Sequence, residues 1–250
     1  MLEPVTLIAI AAAFLIGGVV KGVIGLGLPT VSLALLAVLI DLPSAMALIL
    51  VPSILTNVWQ VMAGHNFKEL LLRLWPFLLI ASVTVGIGAI AITRVDLSLL
   101  SALLGLLLVI YSLVNLTGFH FKISTTHETW IGLVMGTMNG VFTGMTGSSV
   151  VPGVMYLQAI GLPRDMLIQA MGMLFMLSTL ALAIALQQAA ILTIENGMLS
   201  IAALVPGFIG MAFGQKVRQN LSELVFRKVF FVSLLAMGIY IIAIAFHNGA

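Results

Sequence analysis

Stretches of about 20 apolar residues follow one another along nearly the whole chain. Runs near 44–63, 72–93, 97–117, 164–187, 196–213 and 221–246 are long enough to cross a bilayer as helices. Hydrophobic residues make up 62% of the chain and charged residues 7%, against about 25% charged in a soluble domain, so most of this surface is expected to face lipid. The fold class is therefore an all-α polytopic membrane protein. A formal charge of +2 spread over a few loops is no nucleic-acid footprint. The absence of cysteine removes disulfides, thiol chemistry and Cys-ligated metals. No lysine or arginine precedes the first apolar run, so that run reads as a membrane segment rather than a signal peptide.

The remaining apolar stretches, 5–20 with 28–40 and 129–145 with 149–161, are shorter and interrupted by glycine, proline and hydroxyl residues. They repeat each other. Gly18-Val19-Val20-Lys21-Gly22-Val23-Ile24-Gly25-Leu26-Gly27-Leu28-Pro29 in the first half answers Gly136-Thr137-Met138-Asn139-Gly140-Val141-Phe142-Thr143-Gly144-Met145-Thr146-Gly147, running on to Pro152, in the second. Leu42-Pro43 with Met46 recurs as Leu162-Pro163 with Met166, Leu74-Trp75-Pro76 as Leu204-Val205-Pro206, and Leu97-Ser98 as Leu221-Ser222. Two homologous repeats follow, 1–123 and 124–250, each with a Gly/Pro-broken helix pair, in about eight to ten membrane segments. An odd number of crossings per repeat puts Lys68, Arg73, Lys122, Lys216, Arg218, Arg227 and Lys228 on one side, with Lys21 and Arg164 joining if the short segments cross. Only Arg94 is left opposite. That bias marks the cytoplasmic side and points to inverted repeats with both termini outside the cytoplasm.

Broken glycine-rich segments followed by proline, repeated in both halves with the Leu-Pro-x-x-Met continuation, resemble the sulfite exporter TauE/SafE family of bacterial inner-membrane permeases. The likeness spans essentially the full length. It implies a multi-pass protein of the bacterial inner membrane that moves sulfite, sulfonates or other small organosulfur or carboxylate anions, usually outward, by alternating access.

A small oxyanion entering hydrocarbon must exchange its hydration shell for hydrogen-bond donors, and free N–H groups at helix starts supply them together with the positive end of the helix dipole. Gly25, Gly27, Gly144 and Gly147 let the backbone approach a ligand, and Thr30, Ser32, Thr143, Thr146, Ser148 and Ser149 can donate from side chains. Pro29 and Pro152 suit the first turn of the helix that follows each motif. The opposing reading is that small residues only permit tight packing, which is expected of Gly132, Gly136, Gly140 and Gly144 at four-residue spacing. Lys21 and Asn139 hold equivalent places in the two motifs. The lysine either complements an anion or snorkels to the headgroups. The amide needs partners inside the bundle. Asn57, Gln60 and Gln169 read as interhelical hydrogen bonds.

Glu3, Asp41, Glu69, Asp96, Glu128, Asp165, Glu195 and Glu223 fall at segment ends or loops, which gives no support to a mid-membrane proton relay. His65, His120, His127 and His247 lie in loops or at the end, so neither a zinc enzyme nor any cofactor is expected. Met145, Met166 and Met171 offer a soft wall to an organosulfur ligand. The expected partners are a small anionic substrate and the lipid bilayer, with a homo-oligomer left open. An assembly or accessory protein of the membrane is the competing class. It explains the hydrophobicity and leaves the paired motifs without a purpose.

Overall fold

A computed structural model describes residues 3–25, 27–118, 122–218 and 223–248; Leu26, His120, Leu221 and Ser222, all named above, lie outside the described residues. The chain forms α1 (Pro4–Ile24), α2 (Leu28–Leu39), α3 (Leu42–Leu48), α4 (Leu50–Met62), α5 (Phe67–Ala89), α6 (Leu97–Thr117), α7 (Glu128–Thr146), α8 (Gly153–Ala159), α9 (Arg164–Gln188), α10 (Ile194–Ala202), α11 (Leu204–Arg218) and α12 (Glu223–Asn248). Among the described residues, six stretches are long and apolar enough to cross a membrane, or seven if the bent pair α3–α4 counts as one span. The protein is a polytopic helical membrane protein. The side chains of Asp41, Glu69, Asp96, Glu128, Asp165 and Glu195 belong to residues just before a helix or in its first turn, where the helix dipole favours negative charge.

Three expectations about segments change. The first short run is a continuous helix of 21 residues, and Glu128–Thr146 is likewise one helix of 19, so each motif joins a long helix to a short one, of 12 or 7 residues. The run 44–63 is not one straight span, because α3 and α4 meet at an angle of 41°. Pro52 explains the bend: it has no N–H for the carbonyl of Leu48, four residues back. Ser200 on α10 takes over, donating to that Leu48 carbonyl at 2.8 Å and accepting from the Val51 N–H at 3.1 Å. Finally, Pro152 stands immediately before α8 rather than inside its first turn, whereas Pro29 does occupy the first turn of α2.

The helices gather into two compact units, one of Met1–Pro52, Asp96–Thr117 and Leu192–Ala250, the other of Ser53–Val95 and Gly118–Ile191. Each unit takes helices from both halves of the chain.

In the first unit α1 lies on α11 with their backbones touching. A Cβ at Gly18 would meet the carbonyl of Gly207, one at Gly22 that of Met211, and in return one at Gly214 that of Val19. The residue numbers rise together, so the pair is parallel. In the second unit α7 lies on α5 in the same manner, Gly136 over the carbonyl of Phe77 and Gly140 over that of Ala81. Phe77 and Gly207 each follow the repeated Leu-x-Pro, so the duplication read from sequence is also a duplication of helix packing.

Equivalent helices also meet each other. On α6 and α12 a Cβ at Gly105 would stand 2.6 Å from the carbonyl of Gly238, and the rings of Tyr111 and Phe231 sit edge to face at 5.3 Å. On α4 and α9, Gln60 donates to the carbonyl of Ile168 at 2.6 Å, while Gln169 donates to Val61 at 2.8 Å and accepts from the Asn66 N–H at 2.9 Å. Residue 105 meets 238 while 111 meets 231, and on the second pair a Cβ on Gly172 would meet Gln60 while one on Gly64 would meet Gln169, so in both pairs one numbering falls as the other rises. Corresponding helices running antiparallel is the arrangement an inverted duplication requires. Gln60 and Gln169 thus make the interhelical bonds expected of them.

Candidate functional site

The second motif is a helix end folded back on itself. Gly147 closes α7 in the left-handed conformation, φ 78°, and its N–H bonds the carbonyl of Thr143 at 2.7 Å; a branched residue is strained there. The Thr143 hydroxyl reaches the carbonyl of Asn139 at 2.7 Å, Ser149 Oγ at 3.0 Å and the carbonyl of Ser148 at 3.3 Å. Thr146 donates to the carbonyl of Phe142 and accepts from the Ser148 N–H. The hydroxyls of Thr143 and Thr146 therefore hold the loop to the last turn of α7.

The Gly153 N–H that opens α8 is taken by Asn139 Oδ1 at 2.9 Å. Glycine is needed at that place, since a Cβ would stand 2.5 Å from the same oxygen. The expected cradle of free helix-start amides is thus partly filled by the protein's own side chain. What remains are side-chain donors. Asn139 Nδ2 and Ser148 Oγ are buried with no hydrogen-bond partner among the described residues, and their residues are 0% and 3% exposed. A donor left unmet at such depth costs roughly 1–3 kcal/mol. An anion held there would satisfy both.

The first motif follows the same plan. Gly25 caps α1 at φ 80°, its N–H on the carbonyl of Lys21, and Gly27 at φ 117° opens α2 with its carbonyl accepting from Val31. A Cβ on Gly27 would stand 2.7 Å from Val20 Cγ1. α1 stops one turn sooner than α7, so Lys21, aligned in sequence with Asn139, takes the helix-end place of Thr143. Lys21 is buried, 5% exposed, which is not the posture of a snorkelling side chain. Thr30 is buried at the start of α2, and Ser32 donates to the carbonyl of Ala13 at 3.2 Å.

The motif residues divide by role. Gly144 belongs to helix packing, since a Cβ there would meet the Val85 carbonyl on α5, as the other glycines of its four-residue series meet α5 or Tyr156. Asn139, Thr143 and Thr146 on the last turns of α7 cluster with Gly147, Ser148 and Ser149 of the loop that follows. At the far end of that hairpin stands an ion pair that sequence reading left unpaired: Arg73 donates to both oxygens of Glu128, at 2.7 and 2.8 Å, and to the carbonyl of Ile160 at 3.3 Å. Tyr156 adds a bond from its hydroxyl to the Glu128 carbonyl and a ring contact with Phe77 at 4.5 Å. No spacing rule links residues 73 and 128, which the fold alone brings together.

Comparison with curated proteins and with solved structures finds no match. A family model described as Sulfite exporter TauE/SafE matches residues 9–241, nearly the whole chain and both motifs. On that match and a polytopic helical fold, the chain belongs to the TauE/SafE sulfite exporter family of membrane permeases.

Proposed function

We propose that this protein exports a small oxyanion, sulfite or a sulfonate, across the bacterial inner membrane by alternating access, and that the loop between α7 and α8 is part of the substrate path. The reading rests on one observation: Asn139 Nδ2 and Ser148 Oγ are buried donors in the repeated motif that no described residue satisfies. An oxyanion is an acceptor only, so it complements donors of this kind and gains charge-assisted bonds from them. Thr143, Thr146 and Gly147 shape the loop, Ser149 is held by Thr143, and Gly25, Gly27, Thr30 and Lys21 form the matching element of the other motif. The family description supports both the class of substrate and the outward direction.

Flux into and out of proteoliposomes containing only this protein, across a panel of sulfite, methanesulfonate, taurine, acetate and chloride, tests the proposal. Saturable movement of sulfite or a sulfonate is expected, with Ser148→Ala weakening apparent affinity by about 1.5 kcal/mol, roughly tenfold. Liposomes that pass none of these anions would leave the family architecture without the activity proposed here.

A further inference from the structure

Serine and threonine hydroxyls inside these helices normally close back on the carbonyl four residues earlier. Ser82 does so on Leu78 at 2.8 Å, Thr84 on Ile80 at 2.7 Å, Ser112 on Leu108 at 2.7 Å and Thr137 on Leu133 at 2.9 Å. Ser53 on α4 and Ser178 on α9 are exceptions. Both residues are 0% exposed, and neither hydroxyl has a hydrogen-bond partner among the described residues.

Both belong to the second unit. Gln60 stands beside Gly172, 3.2 Å from where its Cβ would be, in the antiparallel α4–α9 pair. Going back two turns along α4, about seven residues, leads to Ser53. Going forward six residues along α9 leads to Ser178, at nearly the same height along the pair. The loop is adjacent: a Cβ on Gly153 would stand 2.8 Å from Leu174 Cδ2 and 2.5 Å from Asn139 Oδ1. Ser178 lies one turn beyond Leu174 on the same face of α9.

We propose that Ser178 and Ser53 are substrate-binding donors that complete, from α9 and α4, the oxyanion site begun by Asn139 and Ser148. The inference rests on the transport reading above. All the donors are neutral, and every described lysine, arginine and histidine of this unit is exposed, so its contribution is recognition by hydrogen bonds alone. Donors arriving from a loop and three helices suit a pyramidal head with three acceptor oxygens, as in sulfite or a sulfonate, better than a planar carboxylate with two.

The test measures apparent affinity for sulfite and methanesulfonate in proteoliposomes, and melting temperature in detergent, for the wild type, Ser53→Ala, Ser178→Ala and Ser148→Ala. Loss of a hydroxyl that donates to the anion weakens affinity roughly tenfold. Because alanine removes an unsatisfied hydroxyl, the melting temperature of the substrate-free protein is expected to stay level or rise. Wild-type affinity in Ser53→Ala or Ser178→Ala, with Ser148→Ala impaired, would overturn this inference and leave the transport reading standing. Wild-type affinity in all three variants, or no movement of either anion by the wild type, would end both. A fall in melting temperature at unchanged affinity would make the serines structural, and the inference wrong.

Discussion

Asn139 serves the fold with one end of its carboxamide and is free to serve a ligand with the other. Two substitutions separate these duties. Asn139→Ala orphans the Gly153 N–H and should lower stability by about 1–3 kcal/mol, read as a lower melting temperature. Asn139→Asp keeps an acceptor for that N–H and removes the donor, so it should remain folded while losing anion flux. Lys21 invites a parallel comparison. If its charge lowers the cost of bringing an anion out of water, Lys21→Gln should reduce flux at every substrate concentration and Lys21→Arg should retain part of it; identical kinetics in all three proteins would remove Lys21 from the path. The equivalence of Lys21 and Asn139 was legible from spacing. Their roles were not, because α7 runs one turn past the point where α1 stops, and that turn moves the lysine to the place of Thr143.

Glycines that look alike in sequence differ sharply at the level of the helix. Gly140 sits against the Thr84 hydroxyl and the Ala81 carbonyl, whereas no described residue lies within 4 Å of where a Cβ on Gly86 would be. Gly140→Leu should therefore cost about 3 kcal/mol through forced separation of α5 and α7. Gly86→Ala should instead raise stability by roughly 0.5–1 kcal/mol by favouring the helical chain. Thermal melting in detergent distinguishes the two. The four-residue glycine spacing announced the contact on α7, but the partner carbonyls lie on a helix distant in sequence and carry no side-chain signature. The bend between α3 and α4 is a similar case. Pro52 was visible inside an apolar run whose length suggested a single span, and the Ser200 hydroxyl that satisfies the freed groups is contributed from about 150 residues further along the chain.

For the molecule as a whole, the antiparallel pairing of α6 with α12 makes a statement about sidedness. Single cysteines are easily read because the native chain has none. Cysteine at position 117 or 224 should be labelled from the cytoplasm, and at 98 or 246 from outside; labelling of 98 and 224 from the same face would refute the inverted arrangement. The membrane class and the duplication were open to sequence reading because lipid imposes long apolar runs and the repeat preserves Leu-Pro pairs. The division into two units was not, since nothing local in a helix records which distant helix covers it. That division has a consequence for how the protein is made. α1 leaves the ribosome early with a stripe of glycine backbone shaped for α11, and its partner follows about 190 residues later, roughly ten seconds or more at ordinary rates of synthesis. Until then the stripe must face lipid, or a chaperone of the insertion machinery. A fragment ending at residue 123 should accordingly be degraded when expressed alone, and fragments 1–123 and 124–250 should protect each other when produced together in one cell.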